Sequence, residues 1–145
     1  MTLANYTTTV AAVRSANEIT KDLVRAGARG IGSEYDPQGR MVSMMFTIVV
    51  AGESYVYLLP VRTGAVQAVL IKQRVEKRYQ TLDHAERVAW RILRDWVRAQ
   101  LAIIETEMVA LDQVMLPYLQ TDNGMTVYDR WTTRRELPAG GNQGD

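Results

Sequence analysis

The sequence predicts an α+β domain, an antiparallel sheet packed by one long central helix, in the order β-α-β-β-β-α-α with a short C-terminal appendage. Three observations carry that expectation. Runs rich in β-branched and aromatic residues at 28–35, 40–50 and 54–61 are separated by turns of only a few residues, which joins them as an antiparallel meander. Helical periodicity replaces this pattern after Val61. Residues 81–107 then form a helix that is apolar around most of its circumference, and such a helix must be covered on several sides.

Each element has its own local reason. Asn5-Tyr-Thr-Thr-Thr-Val10 is β-branched and aromatic, and reads as a first strand. Ser15-Ala-Asn-Glu18 has the spacing of a capping box, a hydroxyl at the N-cap and a carboxylate three residues on. The helix that follows carries Ile19, Leu23 and Val24, and Gly27 is placed to end it. Asp36-Pro-Gln-Gly39 and Ala51-Gly-Glu53 are turns between strands. The strand at 40–50 is apolar through its second half, as befits a central strand, while that at 54–61 alternates. Thr63 caps a helix with Val66, Val69, Leu70 and Val75 on its apolar face, and Thr81 caps the long one. Residues 109–119 read as a short helix interrupted by Pro117, and Thr121-Asp-Asn-Gly124 as a turn. Met125 to Trp131 is either a last helical turn or an edge strand. One domain over residues 1–136 and a disordered tail at 137–145 complete the expected organisation.

Composition narrows the chemistry. The chain has 145 residues, 47% of them hydrophobic, enough for one domain with a core of its own. With no cysteine there is no disulfide framework, thiolate metal site or thiol nucleophile. The single histidine, His84, excludes a multi-histidine metal site and lies in the first turn of the long helix, where capping or exposure explains it. The first six residues lack a basic segment followed by an apolar run, and no stretch approaches the ~18 apolar residues of a membrane span. A cytoplasmic protein without a cofactor is expected. Neither Glu34 with Asp36 nor Glu105 with Glu107 stands near a Lys or His at a catalytic spacing, and no serine lies in a nucleophile elbow, so an enzyme is not expected.

The functional lead is a ridge of arginines on the long helix. Arg87, Arg91, Arg94 and Arg98 are spaced four, three and four, which puts them within about 40° of one another over ~16 Å of helix axis. Charge is also segregated along the chain. Residues 62–98 hold nine positive and four negative side chains, net +5, whereas residues 99–129 hold five carboxylates and no Lys or Arg. Three readings compete for the ridge. It can bind phosphates, since arginine makes bidentate, permanently charged contacts. It can meet the acidic segment of a second copy. Or it can solvate the only exposed strip of a buried helix, with Asp95 and Glu105 as weak partners. Tyr55, Tyr57, Tyr79 and Trp90 are candidate stacking platforms, although an amphipathic sheet face is the plainer reading of the strand tyrosines and core packing that of Trp90 and Trp96. No established nucleic-acid readout motif is present.

Ala85–Glu105 (AERVAWRILRDWVRAQLAIIE) and Leu111–Tyr118 (LDQVMLPY) resemble small uncharacterised proteins of phages and prophages. The resemblance extends over most of the chain short of the tail and carries no assigned residues. It implies a mobile-element setting, where small accessory proteins handle DNA or block a host system by binding it. The expected function is therefore a phage-type accessory protein, possessing no membrane contact, that binds nucleic acid, single-stranded DNA first. The binding residues would be Arg74, Lys77, Arg78, Tyr79, Arg87, Trp90, Arg91, Arg94 and Arg98. The alternative is a protein-binding module, either a homo-oligomer or an inhibitor of a host protein.

Overall fold

The computed structural model describes residues 1–135; the expected tail at 137–145 lies outside them. Five α-helices and three strands follow the order α1 (Ala12–Arg25), β1 (Gly30–Tyr35), β2 (Met41–Val50), β3 (Glu53–Leu58), α2 (Thr63–Lys72), α3 (Leu82–Glu105), α4 (Leu111–Met115) and α5 (Val127–Arg135). The strands form one antiparallel sheet, β1-β2-β3, and α3 is the long central helix, so the α+β class is as predicted.

The first strand is not formed. Leu3 to Thr8 make two successive turns, with the Tyr6 N–H donating to Leu3 O and the Thr8 N–H to Asn5 O, and Asn5 adopts a left-handed φ of 62°. β propensity needs a sheet edge to act on. Here Leu3 and Tyr6 gain more by packing against Leu70 and Val88, across the α2–α3 pair. Two further hydrogen bonds pin the segment: Leu3 N–H to Gln73 Oε1 and Asn5 Nδ2 to Asp95 Oδ2, at 2.8 and 2.9 Å.

The capping box at Ser15–Glu18 is also absent. α1 begins one turn earlier, at Ala12 after Ala11, and no side chain caps it. Ser15 and Glu18 therefore sit inside the helix, with their side chains committed elsewhere. The C-terminus ends as expected. The Ala28 N–H reaches Leu23 O and the Gly27 N–H reaches Val24 O, and Gly27 takes φ 114°, which completes a Schellman motif.

Strand register explains which sheet face is covered. Phe46 lies opposite Ile31 on β1 and Tyr57 on β3, and these three with Met44, Ile48 and Leu59 line the inner face. Ile19 and Leu23 of α1 and Trp90, Leu93 and Val97 of α3 close over it. Trp90 is wholly buried and donates its indole N–H to Met41 O, so its polar edge is satisfied. A second apolar cluster, Leu70, Ala85 and Val88, joins α2 to the far side of α3. α3 is thus packed on both flanks and against the sheet, as its apolar circumference demands. Met115 of α4 plugs the end of the main core. The opposite sheet face carries Met45, Thr47, Val49, Val56 and Leu58, none of which belongs to either cluster.

Candidate nucleic-acid interface

The arginine ridge faces α1. Arg91 Nη1 donates to Ser15 Oγ at 3.3 Å, Arg94 Nε to Glu18 Oε1 at 2.8 Å and Arg98 Nε to Asp22 Oδ2 at 2.8 Å. Each of these pairs is separated by 76 residues. A constant offset means that the two helices run in the same direction with their polar rows in register. Arg91 Nη1 also reaches Glu18 at 3.2 Å and Arg98 Nη2 reaches it at 3.6 Å, so with Arg14 of its own helix at 3.3 Å Glu18 gathers four guanidinium groups. Asp95, the partner expected from the long helix itself, does accept from Arg94 Nη1 at 2.9 Å. Glu105 lies further along, beside Asp22, Arg25 and Arg98 at the rim of a cleft between the C-terminal ends of α1 and α3.

Electrostatics follow from this geometry. Partial desolvation pushes the Glu18 carboxyl up, but the Arg94 hydrogen bond and the charges of Arg91 and Arg94 outweigh it and hold Glu18 below the ordinary carboxylate range. Asp95 behaves alike: desolvation raises it, while Asn5, Arg94 and Arg91 together bring it down. From Arg91 to Arg98 the ridge is a helix-pairing seam, its charge met by Glu18 and Asp22 of α1 and by Asp95, and its side chains only 16% and 20% exposed at Arg91 and Arg94. Arg91 and Arg94 are thereby withdrawn from the surface expected to meet phosphate, while Arg98, paired to Asp22, keeps a side chain 44% exposed. Arg87, half-buried, stands apart in a cleft with Tyr35, Asp83 and Glu86.

Two aromatic candidates are also withdrawn. Trp90 is in the core, as described. Tyr57 is buried and stacks on Phe46, ring centroids 5.1 Å apart at 17°, and burial pushes its hydroxyl up. Tyr55 keeps a partly exposed ring.

The remaining candidates, Arg74, Lys77, Arg78 and Tyr79, share one place, the connector between α2 and α3, and Lys72 at the end of α2, not singled out from the sequence, adjoins them. Lys72, Arg74, Lys77 and Arg78 are all exposed there, with Glu76 as the one acidic residue among them. Among the described residues, only Arg78 of these four is ion-paired, to Glu76 at 3.3 Å on the surface. The connector is braced from below. Gln67 Nε2 holds Gln80 O, Gln80 Nε2 holds Val75 O, and a 3-10 turn at Lys77–Tyr79 presents consecutive basic residues. Tyr79 is wedged between Tyr6, edge-on at 5.7 Å, and His84 at 4.9 Å, with the Arg78 guanidinium 4.7 Å above its ring. His84 is buried and in contact with the Tyr6 carbonyl, while its backbone N–H is capped by Thr81 Oγ1. It is a structural residue of the N-terminal clasp.

A second basic surface was not singled out from the sequence. α5 is a helix whose N-terminus carries a reciprocal cap: the Thr126 N–H donates to Asp129 Oδ2 and the Asp129 N–H to Thr126 Oγ1, both at 3.1 Å. The Thr126-Val-Tyr-Asp129 spacing was the available signal. α5 exposes Tyr128, Arg130, Trp131, Arg134 and Arg135, the last lying over the Trp131 ring at 4.5 Å.

Among the described residues, no group of three or more His, Asp or Glu side chains could hold a metal ion, and no helix is long and apolar enough to cross a membrane. The fold and surface define a small α+β domain with two exposed basic, aromatic-bearing patches. No family model matches the chain, and comparison with curated proteins and with solved structures found no similar protein.

Proposed function

We propose that this chain is a phage-type accessory protein that binds nucleic acid through the α2–α3 connector, with Lys72, Arg74, Lys77 and Arg78 as phosphate contacts and Tyr79 as a flanking aromatic. The observation that carries this reading is the contrast between two sets of cations. Arg91, Arg94 and Arg98 of the ridge are paired with carboxylates of α1, whereas the connector presents four cations to solvent against one carboxylate on a braced backbone. Exposed cations, three of the four without an ion-pair partner among the described residues, are what a phosphate backbone requires, and their binding releases condensed counterions. The site offers charge and an aromatic edge but no grouped acid and base, which fits a binding protein better than an enzyme.

Anisotropy titration of a labelled oligothymidylate across a series of salt concentrations tests it. Four phosphate contacts on a single strand give a log–log salt slope of roughly −3, at ~0.7 per contact. Replacing Lys72, Arg74, Lys77 and Arg78 by Gln flattens the slope and removes most of the affinity at low salt. Binding that is absent, or indifferent to salt and to these four changes, would refute the proposal.

Protein binding is the second reading, and one observation favours it. The outer sheet face, with Met45, Val49, Val56 and Leu58, belongs to neither core cluster, and an apolar face of this kind suits a second copy or a host protein. Light scattering that shows a dimer, dissociated by Val56→Lys, would support it over the first reading.

A further inference from the structure

An open cleft of about 550 Å³ lies between the turn after Gln120 and α5, lined by Asp122, Asn123, Met125, Arg130, Trp131 and Arg134. Its size falls within the roughly 300–1,000 Å³ of small-molecule sites. The turn is held to the sheet side of the molecule by backbone pairing. The Gln120 N–H donates to Val56 O and the Thr121 N–H to Met125 O, each at 2.7 Å, and Gln120 bridges Thr126. The opposite wall is the reciprocally capped α5. The cleft therefore has two defined walls of different chemistry. One offers amide and carboxylate groups, Asn123 and Asp122; the other offers the Trp131 indole together with Arg130 and Arg134, the Arg135 guanidinium lying over the indole ring at 4.5 Å.

We infer that this cleft takes one unstacked nucleobase of a single-stranded nucleic acid, with Trp131 as the stacking platform, Asp122 and Asn123 on the base edge and Arg130 and Arg134 on the flanking phosphates. The inference rests on the nucleic-acid reading above and adds a second site to it. Trp131 is 54% exposed, whereas Trp90 is buried and Trp96 is edge-packed on Tyr118. An exposed indole with arginines one residue before and three after is suited to hold a base and its phosphates together. Asn donates and accepts, and Asp accepts, which is what a base edge with amines and carbonyls requires. An acidic peptide, the other ligand that three exposed arginines on α5 could attract, offers no planar base to stack on the exposed Trp131 indole. A duplex is disfavoured, because a base within a stack cannot enter a recess without being flipped out.

Two readouts on the full chain test the site: tryptophan fluorescence during titration with oligothymidylate, and anisotropy of the labelled oligonucleotide. Trp131→Ala should weaken binding about five- to hundredfold, the range of lost base–aromatic stacking. Trp131→Phe should restore most of the affinity while removing the fluorescence quench. Circular dichroism should show both variants folded, since Trp131 lies outside both core clusters. If Trp131→Ala binds like the unmodified chain while the connector variant does not, the cleft is refuted and the connector reading stands. If the unmodified chain binds no oligonucleotide, both fail. Equal quenching by a duplex of the same length would overturn the single-strand assignment. Quenching by polyglutamate but not by oligothymidylate would overturn it in favour of an acidic protein partner.

Discussion

At the scale of single residues, three positions separate what supports the fold from what serves a ligand. Asp22 is nearly buried, its side chain 9% exposed, and it accepts a charge-assisted hydrogen bond from Arg98. Trp90 is fully enclosed, so truncation to Ala would cost about 3–5 kcal/mol by the usual measure for core aromatics. Arg74 is the contrasting case. It follows the end of α2 with a left-handed φ of 55°, where its N–H meets Ile71 O and the next N–H meets Leu70 O. Glycine adopts that conformation without the ~1–2 kcal/mol penalty of a residue with a Cβ. Arg74→Gly should accordingly leave urea stability equal or up to about 1 kcal/mol higher, while oligonucleotide affinity falls. A variant that is destabilised, or that binds unchanged, would show that Arg74 is retained for packing or for nothing that binding reads.

Elements show why part of this molecule was legible in the sequence and part was not. Strand meander, turns and the long helix depend on local chemistry, and all three appear where β-branched runs, the Asp36–Gly39 turn and the Thr81 cap place them. The Asp36 carboxylate accepts from the Gln38 and Arg40 N–H groups, a turn written entirely in neighbouring residues. The partners of the arginine ridge were not local. Their signal was present, since Ser15, Glu18 and Asp22 repeat the three–four spacing of Arg91, Arg94 and Arg98. That spacing also resembles a capping box, and only the packing of α1 against α3 tells the two apart. Residues 5–10 misled for the opposite reason, because strand propensity there has no edge to join.

The paired helices also set an acid limit. Glu18 titrates below its ordinary range in the folded chain, so the unfolded chain binds protons first as pH falls. The seam's contribution is fully present above about pH 4.3 and is lost as pH drops through the lower, folded value. Thermal midpoints measured from pH 6 down to pH 3 should fall more steeply for the unmodified chain than for Glu18→Gln, which has no such proton to bind. Parallel profiles would mean that the Glu18 cluster adds nothing to stability.

Taken as a whole, the molecule divides its positive charge by role. The net excess between residues 62 and 98 looked like one basic surface, but three of its arginines are spent against α1, and the free cations collect on the connector, with a further set on α5. A long helix shared by two apolar clusters holds α1 and the sheet on one side and α2, with its connector, on the other. This division requires that the ridge hold helices together. Its most direct measure is a double-mutant cycle between Asp22 and Arg98, using Asp22→Asn, Arg98→Gln and the double variant, read by urea unfolding. The account predicts a favourable coupling of about 0.5–3 kcal/mol between the two sites, with oligonucleotide binding unaffected in the folded variants. Additive effects, with coupling below about 0.5 kcal/mol, together with lost binding in Arg98→Gln, would contradict it and return the ridge to the ligand.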